Sequence, residues 1–166
     1  MVTVTDITAK HSLPRSLEPY AQLIRMLMPR AEAIDIFDAE GERFWSSSDI
    51  ESPDLHPLVS AACESPPGAG EGLLKRLDDG TPVYFFWLQD DSGERLALLA
   101  VTARAERGEL RAWSFVHSLL RPALECLQRE LASQEVIGTL GRNLASHDKD
   151  LDLLVAITSD GPAADA

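Results

Sequence analysis

Residues 81–104, TPVYFFWLQDDSGERLALLAVTAR, decide the fold class of this chain. Residues 81–89 and 94–104 are apolar at odd and even positions alike, which predicts two strands in a sheet that is covered on both faces. Residues 90–93, DDSG, have the composition of a tight turn. The stretch therefore predicts an antiparallel hairpin at the centre of a sheet.

The segments before this hairpin predict three more strands. Residues 34–37 and 43–46 are expected to pair across a turn at residues 38–41, DAEG, where Gly41 can take a positive φ. Residues 72–77 form a further strand that leads into the central hairpin. The sheet is thus expected to have five strands, joined mainly by short turns.

Helices are predicted before, between and after these strands. The first covers residues 16–28, with Ser16 as its N-cap and Pro19 in its first turn. The second covers residues 53–64, and the third begins at Trp113. This order predicts an α+β fold, an antiparallel central sheet flanked by helices. We expect helices on one side of the sheet and a loop-lined pocket on the other.

The last third of the chain, residues 113–158, is predicted to be a long amphipathic helix. Residues 113–131 alone would extend about 28 Å, so a second chain or a folded-back helix is expected to cover the remainder. A change of register predicts a bend at residues 138–141. One stripe consists of Leu120, Leu124, Leu127 and Leu131, and a second of Ile137, Leu140, Leu144, Leu151 and Leu154.

These stripes lead us to predict a homodimer that is built on helices, since two-fold dimers are the commonest assembly. The alternative is that the first stripe packs on the sheet of its own chain. The predicted interface consists of Leu23, Leu27, Leu120, Leu124, Leu127 and Leu131.

The composition narrows the class of protein. The chain has 166 residues, about one domain, with 15 basic and 27 acidic residues and a formal net charge of −12. An acidic balance argues against nucleic acid and against an anionic membrane surface as partners. Without a long apolar run or an apolar signal core, the sequence predicts a cytoplasmic protein.

Residues with catalytic or ligating chemistry do not form a recognisable set. The four histidines have no metal-ligand spacing, and Cys63 and Cys126 are isolated, so we expect both to be buried small side chains. The acidic pairs at residues 78–79 and 90–91 fall in predicted turns, where Asp accepts backbone hydrogen bonds. The sequence therefore predicts neither a metal site nor an enzyme.

Aromatic residues on the predicted strands are the candidates for a ligand site. Phe85 and Trp87 are expected on one face of their strand, and Tyr84 and Phe86 on the other. A small-molecule pocket is mostly apolar with a few polar groups, so we predict that Trp45, Phe85 and Trp87 line one. The alternative is that all of these rings belong to the core.

Two segments resemble a known family. Residues 36–47, IFDAEGERFWSS, resemble the first hairpin of GAF-like and PAS-like sensor domains, and the order of elements is more similar to GAF. Residues 115–134, FVHSLLRPALECLQRELASQ, resemble the exit helix of sensor domains ahead of bacterial cyclic-di-GMP enzymes, especially EAL phosphodiesterases. The EAL, GGDEF, PilZ and NKFDE signatures of related proteins do not occur, so no catalytic residue carries over.

The resemblance implies a GAF-like sensor of bacterial cyclic-di-GMP signalling. Such a sensor binds a small ligand or a partner and transmits the binding signal through the C-terminal helix. The cofactor or ligand is unknown, and a downstream effector domain or protein is an expected partner. The alternative function is a ligand-free dimerisation or protein-interaction module. The expected segments are a flexible lead-in at 1–15, the sensor at 16–133, a helical output segment at 134–158 and a disordered tail at 159–166.

Overall fold

The computed structural model describes residues 17–48, 54–65, 73–104 and 110–135. The chain divides into two compact units, Met1–Arg129 and Glu130–Ala166. The described part is an α+β fold with one antiparallel sheet, as the sequence predicts. Its elements are α1 (Glu18–Leu27), β1 (Ala31–Phe37), β2 (Arg43–Ser46), α2 (His56–Cys63), β3 (Leu74–Arg76), β4 (Pro82–Gln89), β5 (Arg95–Ala103) and α3 (residues 113–135).

The five strands lie in the order β2-β1-β5-β4-β3. The hairpin predicted at residues 81–104 is β4 and β5, and it occupies the interior of the sheet. β1 pairs with the other side of β5, which brings the first hairpin beside the last strand of the meander. The sheet therefore contains long-range pairing that neither hairpin specifies alone.

Each hairpin turns at a glycine with positive φ. Gly41, Gly80 and Gly93 have φ of 90°, 83° and 84°. Each glycine N–H donates to the carbonyl three residues earlier, at 3.1, 2.9 and 3.0 Å. A residue with a Cβ would be strained in this region, which explains why the three turns share a glycine in the same place.

Cross-strand pairing divides the sheet into two faces. Partners in an antiparallel ladder point to the same side. One side carries a buried cluster together with α2, and we call it the α2 face. Its buried apolar residues are Phe37, Val83, Phe85, Leu98 and Ala100 from the strands, with Leu55, Val59, Ala62 and Leu73 over them.

The opposite side of the sheet, which we call the α3 face, is equally apolar. Seven of its strand side chains are 0–2% exposed, and the buried side chains of α1 and α3 lie outside the α2-face cluster. The beginning of α3 stacks on Phe86 of this face. The buried strand residues of the α3 face include Ile34, Ile36, Tyr84, Phe86, Leu88, Leu99 and Val101.

Several predicted boundaries need correction. The N-cap position of α1 is Leu17, which makes no side-chain cap, and not Ser16. Pro19 lies in the first turn as predicted, and α1 ends before Pro29. β1 begins three residues earlier than expected, at Ala31. The second leucine stripe and the predicted bend at 138–141 lie outside the described residues.

Within the described ranges, no helix is long and apolar enough to cross a membrane.

Candidate functional site

The structure separates the three predicted pocket residues. Phe85 and Trp87 lie on the α2 face, because they pair with Ala100 and Leu98 of that face. Trp45 pairs with Ile36 and therefore lies on the opposite, α3 face, where it is 7% exposed. The predicted alternation of residues 84–87 is confirmed, but Trp45 cannot share a pocket with the other two.

The most unusual residue of the α2 face is Asp35, in the middle of β1. Its side chain is completely buried, and neither carboxyl oxygen has a hydrogen-bond partner in the described part of the chain. The nearest charge is Nη1 of Arg43, 3.6 Å from Oδ1. Ser46 lies opposite on β2, but its hydroxyl donates to the carbonyl of Ser48. A buried carboxyl of this kind is costly unless something pairs with it.

Burial raises the pKa of the Asp35 carboxyl above its ordinary value. The Ser46 hydroxyl and the positive charge of Arg43 oppose this shift without cancelling it. The carboxyl is therefore more readily protonated than a surface aspartate. In its protonated form it can donate one hydrogen bond as well as accept others.

Two more buried polar atoms on the α2 face lack partners. Thr102 of β5 is 5% exposed, and its hydroxyl has no hydrogen bond in the described part of the chain. The indole N–H of Trp87 is also buried and unpaired there. Since buried polar groups are nearly always hydrogen-bonded, unpaired groups on one face need an explanation.

The three groups surround Ala100. Asp35 and Phe85 are its cross-strand partners on either side, Thr102 lies two residues further along β5, and Trp87 is diagonal to it on β4. Ala100 has a small side chain, and Phe85 supplies an apolar wall. The arrangement is a small, apolar centre with unsatisfied polar groups around it, which matches the composition of ligand sites.

The C-terminal end of α2 is attached to this face through Arg95. Its guanidinium donates to the carbonyls of Cys63 and Ser65, at 3.3 and 2.9 Å, and lies over the Trp87 ring, 4.2 Å from the centroid. The carbonyls at a helix C-terminus are otherwise unpaired and favour a cation. Arg95 therefore links α2, Trp87 and the beginning of β5.

Strand β4 also holds the beginning of α3. The Tyr84 hydroxyl donates to the Arg111 carbonyl at 2.9 Å, and the Trp113 indole donates to the Phe85 carbonyl at 2.8 Å. Among the described residues, β3 pairs with β4 as far as Tyr84, and the Phe85 carbonyl that follows accepts from Trp113. The strand that presents Phe85 to the α2 face is thus attached directly to α3.

A three-ring stack continues this junction along α3. The Phe86 and Trp113 rings are 5.6 Å apart between centroids, and those of Trp113 and His117 are 4.7 Å apart. Burial, with a smaller contribution from Arg121, lowers the pKa of His117. His117 therefore packs against Trp113 at the junction.

The predicted turn aspartates have the role expected of them. Oδ1 of Asp90 accepts from the N–H groups of Ser92 and Glu94, at 2.9 and 2.8 Å, and Oδ1 of Asp79 accepts from Thr81 at 2.9 Å. Hydrogen bonds from the side chains of Ser92 and Thr81, and then those from the N–H groups, lower the pKa of the two carboxyls. Among the described residues, no group of three or more His, Cys, Asp or Glu could hold a metal ion.

The cysteine prediction is wrong in part. Cys63 is half-buried, whereas Cys126 is exposed on the outer side of α3. The leucine spacing that predicts the buried side of α3 does not extend to position 126.

The leucines of the predicted dimer interface fall into two groups. Leu120, Leu124 and Leu127 are 0–4% exposed and are buried within the chain itself. Leu23, Leu27 and Leu131 are half-buried. The homodimer stays a prediction, and only the second group has side-chain surface left for a partner.

No protein-family model, curated protein or solved structure matches the chain.

Proposed function

We propose that this chain is a sensory domain that binds a small molecule on the α2 face of its sheet and passes the binding event to α3. The observation that carries the proposal is the pair of buried side chains, Asp35 and Thr102, whose oxygens have no hydrogen bond in the described part of the chain and which lie beside Phe85. A bound molecule would supply the hydrogen bonds that these groups lack, and so recover the cost of burying them.

The relay follows from the two roles of β4. Its Phe85 and Trp87 side chains belong to the α2 face, while Tyr84, Phe85 and Phe86 hold Arg111, Trp113 and His117 at the beginning of α3. A ligand that shifts β4 would therefore shift α3. Such coupling requires that the molecule bind two arrangements of the junction unequally.

The finer parts of the proposal rest on the resemblance. The hairpin at residues 36–47 and the helix at 115–134 support a GAF-like architecture in bacterial cyclic-di-GMP signalling, with no catalytic step in this domain. An effector domain or protein would receive the signal from α3.

Native mass spectrometry of the purified full chain tests the proposal, because it reports a retained small molecule and the oligomeric state together. We expect a bound species of low mass that is lost from the Asp35→Leu variant and kept by Glu32→Gln, which changes an exposed carboxylate on the same strand. If the parent retains nothing and a metabolite panel leaves its melting temperature unchanged, the proposal is wrong.

The second candidate is a ligand-free dimerisation module. It is favoured by Met26, which is 78% exposed on α1 near the half-buried Leu23 and Leu27. Light scattering at tens of micromolar should then show a dimer that Met26→Glu dissociates, since a carboxylate in an apolar contact is unpaired.

A further inference from the structure

The unpaired groups of the α2 face also define the chemistry of the molecule that would bind there. This inference rests on the proposed function, because it assumes that a ligand occupies the face. The two oxygens of Asp35 and the hydroxyl of Thr102 can accept hydrogen bonds. The Thr102 hydroxyl and the Trp87 indole can donate. The ligand must therefore carry both N–H or O–H donors and an acceptor.

The charges around the face argue against an ionic ligand. An anion would lie against the Asp35 carboxyl. A cation would meet Arg43, 3.6 Å from that carboxyl, at one end and Arg95, over the Trp87 ring, at the other. Arg43 and Arg95 already place a positive charge beside Asp35 and beside Trp87, so a second cation would be repelled at both positions. Taking a further ion out of water into a buried site costs several kcal/mol when no partner of opposite charge is left for it.

The spacing of Asp35 and Thr102 suits one planar group. Asp35 pairs with Ala100, and Ala33 pairs with Thr102, so the two residues are diagonal neighbours on β1 and β5. Cα atoms in such a diagonal are about 7–8 Å apart. Because side chains stand roughly perpendicular to a sheet, the separation of the two Cα atoms carries over to the side-chain oxygens. An amide with one hydrogen bond of about 2.9 Å on each side spans a similar distance.

We propose that the α2 face binds the uncharged amide edge of a small molecule, such as a carboxamide, lactam or urea. Its N–H donates to the carboxyl of Asp35, and its carbonyl accepts from the hydroxyl of Thr102. The apolar remainder of the molecule lies beside Ala100 and Phe85 and extends toward Trp87.

Three fragments of one ring size test the charge requirement: benzamide, benzoate and benzylammonium. The full chain is labelled with ¹⁵N and the indole N–H resonances of its three tryptophans are followed. The Trp87 resonance is assigned by its loss from Trp87→Phe. We expect benzamide at millimolar concentration to move it, and the two charged fragments to leave it in place.

Two variants locate the amide. Asp35→Leu and Thr102→Val each remove one hydrogen-bond partner of the amide with little change in side-chain size. Each should weaken the affinity for benzamide by about tenfold, the equivalent of one hydrogen bond. Glu32→Gln should leave the affinity unchanged. Asp35→Asn is unsuitable for this test, because an asparagine amide can itself form a hydrogen bond with benzamide.

The outcomes separate the two proposals. Preferential binding of benzoate or benzylammonium, with sensitivity to Asp35→Leu, would overturn the uncharged class and leave the ligand site standing. Benzamide binding that neither variant weakens would also overturn this inference. If none of the fragments moves the Trp87 resonance, both proposals are wrong and the α2 face is a closed core. Circular dichroism of both variants confirms that they fold.

Discussion

Replacing Asp35 with asparagine is expected to stabilise the chain at neutral pH, and to do so less as the pH falls. The change keeps the size of a fully buried side chain and removes its charge. Burial raises the pKa of this carboxyl in the folded state. Between its unfolded and folded pKa values the folded chain binds more protons, so the stability of the parent falls as the pH rises through that window.

The size of the effect follows from two opposing contributions. Leaving a buried polar group without a partner costs about 1–3 kcal/mol, and more when the group is charged. Asparagine keeps the polar part of this cost but not the charge. The variant also loses the attraction of Arg43, which is worth no more than about 1 kcal/mol because half of the arginine side chain is exposed. We therefore expect a net gain of about 1 kcal/mol near pH 8, or roughly 2–4 °C in melting temperature for a chain of this size.

Urea unfolding of parent and variant, followed by tryptophan fluorescence near pH 5 and near pH 8, measures this difference. Asp79→Asn is the matched control. Hydrogen bonds from Thr81 lower the pKa of the exposed Asp79, so its contribution to stability is present above the unfolded pKa and is lost as the pH falls through the folded one. Since that window lies below pH 5, the effect of Asp79→Asn should be the same near pH 5 and near pH 8, whereas the effect of Asp35→Asn should grow between them. If Asp35→Asn is less stable than the parent near pH 8, the carboxylate has a compensating partner and the reasoning fails.

Four further substitutions test the packing. Gly80→Ala should lower the free energy of unfolding by about 1–2 kcal/mol, because of the positive φ alone. Gly41→Ala should lower it further, because its Cβ would lie 3.3 Å from Cγ1 of Val59. Thermal unfolding of the two variants compares these losses. Trp113→Phe keeps a ring in the stack but removes the hydrogen bond to β4, so hydrogen exchange at residues 113–120 should rise while the sheet stays protected. Leu127→Glu should unfold the chain rather than dissociate a dimer, since Leu127 is 1% exposed; circular dichroism distinguishes the two.

Much of the fold is predictable because its signals are local. A turn sequence that contains a glycine connects the strands of each hairpin. β2 lies at 43–46 as predicted. The interior position of β4 and β5 follows from apolar residues on both parities. Helix ends are less predictable from sequence. Leu17 occupies the N-cap position of α1 through tertiary burial, at 1% exposure, and without a capping side chain. Propensity favours a serine there, but packing decides.

The candidate site is only half predictable. Alternation places Phe85 and Trp87 together, since it is a property of one strand. It cannot relate Trp45 to them, because that depends on the register between β2 and β1. Asp35 and Thr102 could have been singled out from the sequence, because each is a polar residue within a strand whose neighbours are apolar on both faces. The overall composition does not show this. Only the pairing of β1 with β5 shows that these two residues are neighbours.

Three hydrogen-bonded attachments of α2 and α3 to the sheet share one property. Arg95 binds the carbonyls of Cys63 and Ser65, Trp113 binds that of Phe85, and Tyr84 binds that of Arg111. In each case one partner is a side chain and the other is main chain, which every residue type provides. Selection can act on the first partner alone. Among descendants of this sequence, position 95 should therefore be constrained while positions 63 and 65 drift independently of it, and methods that infer contacts from correlated substitutions would not detect these three attachments.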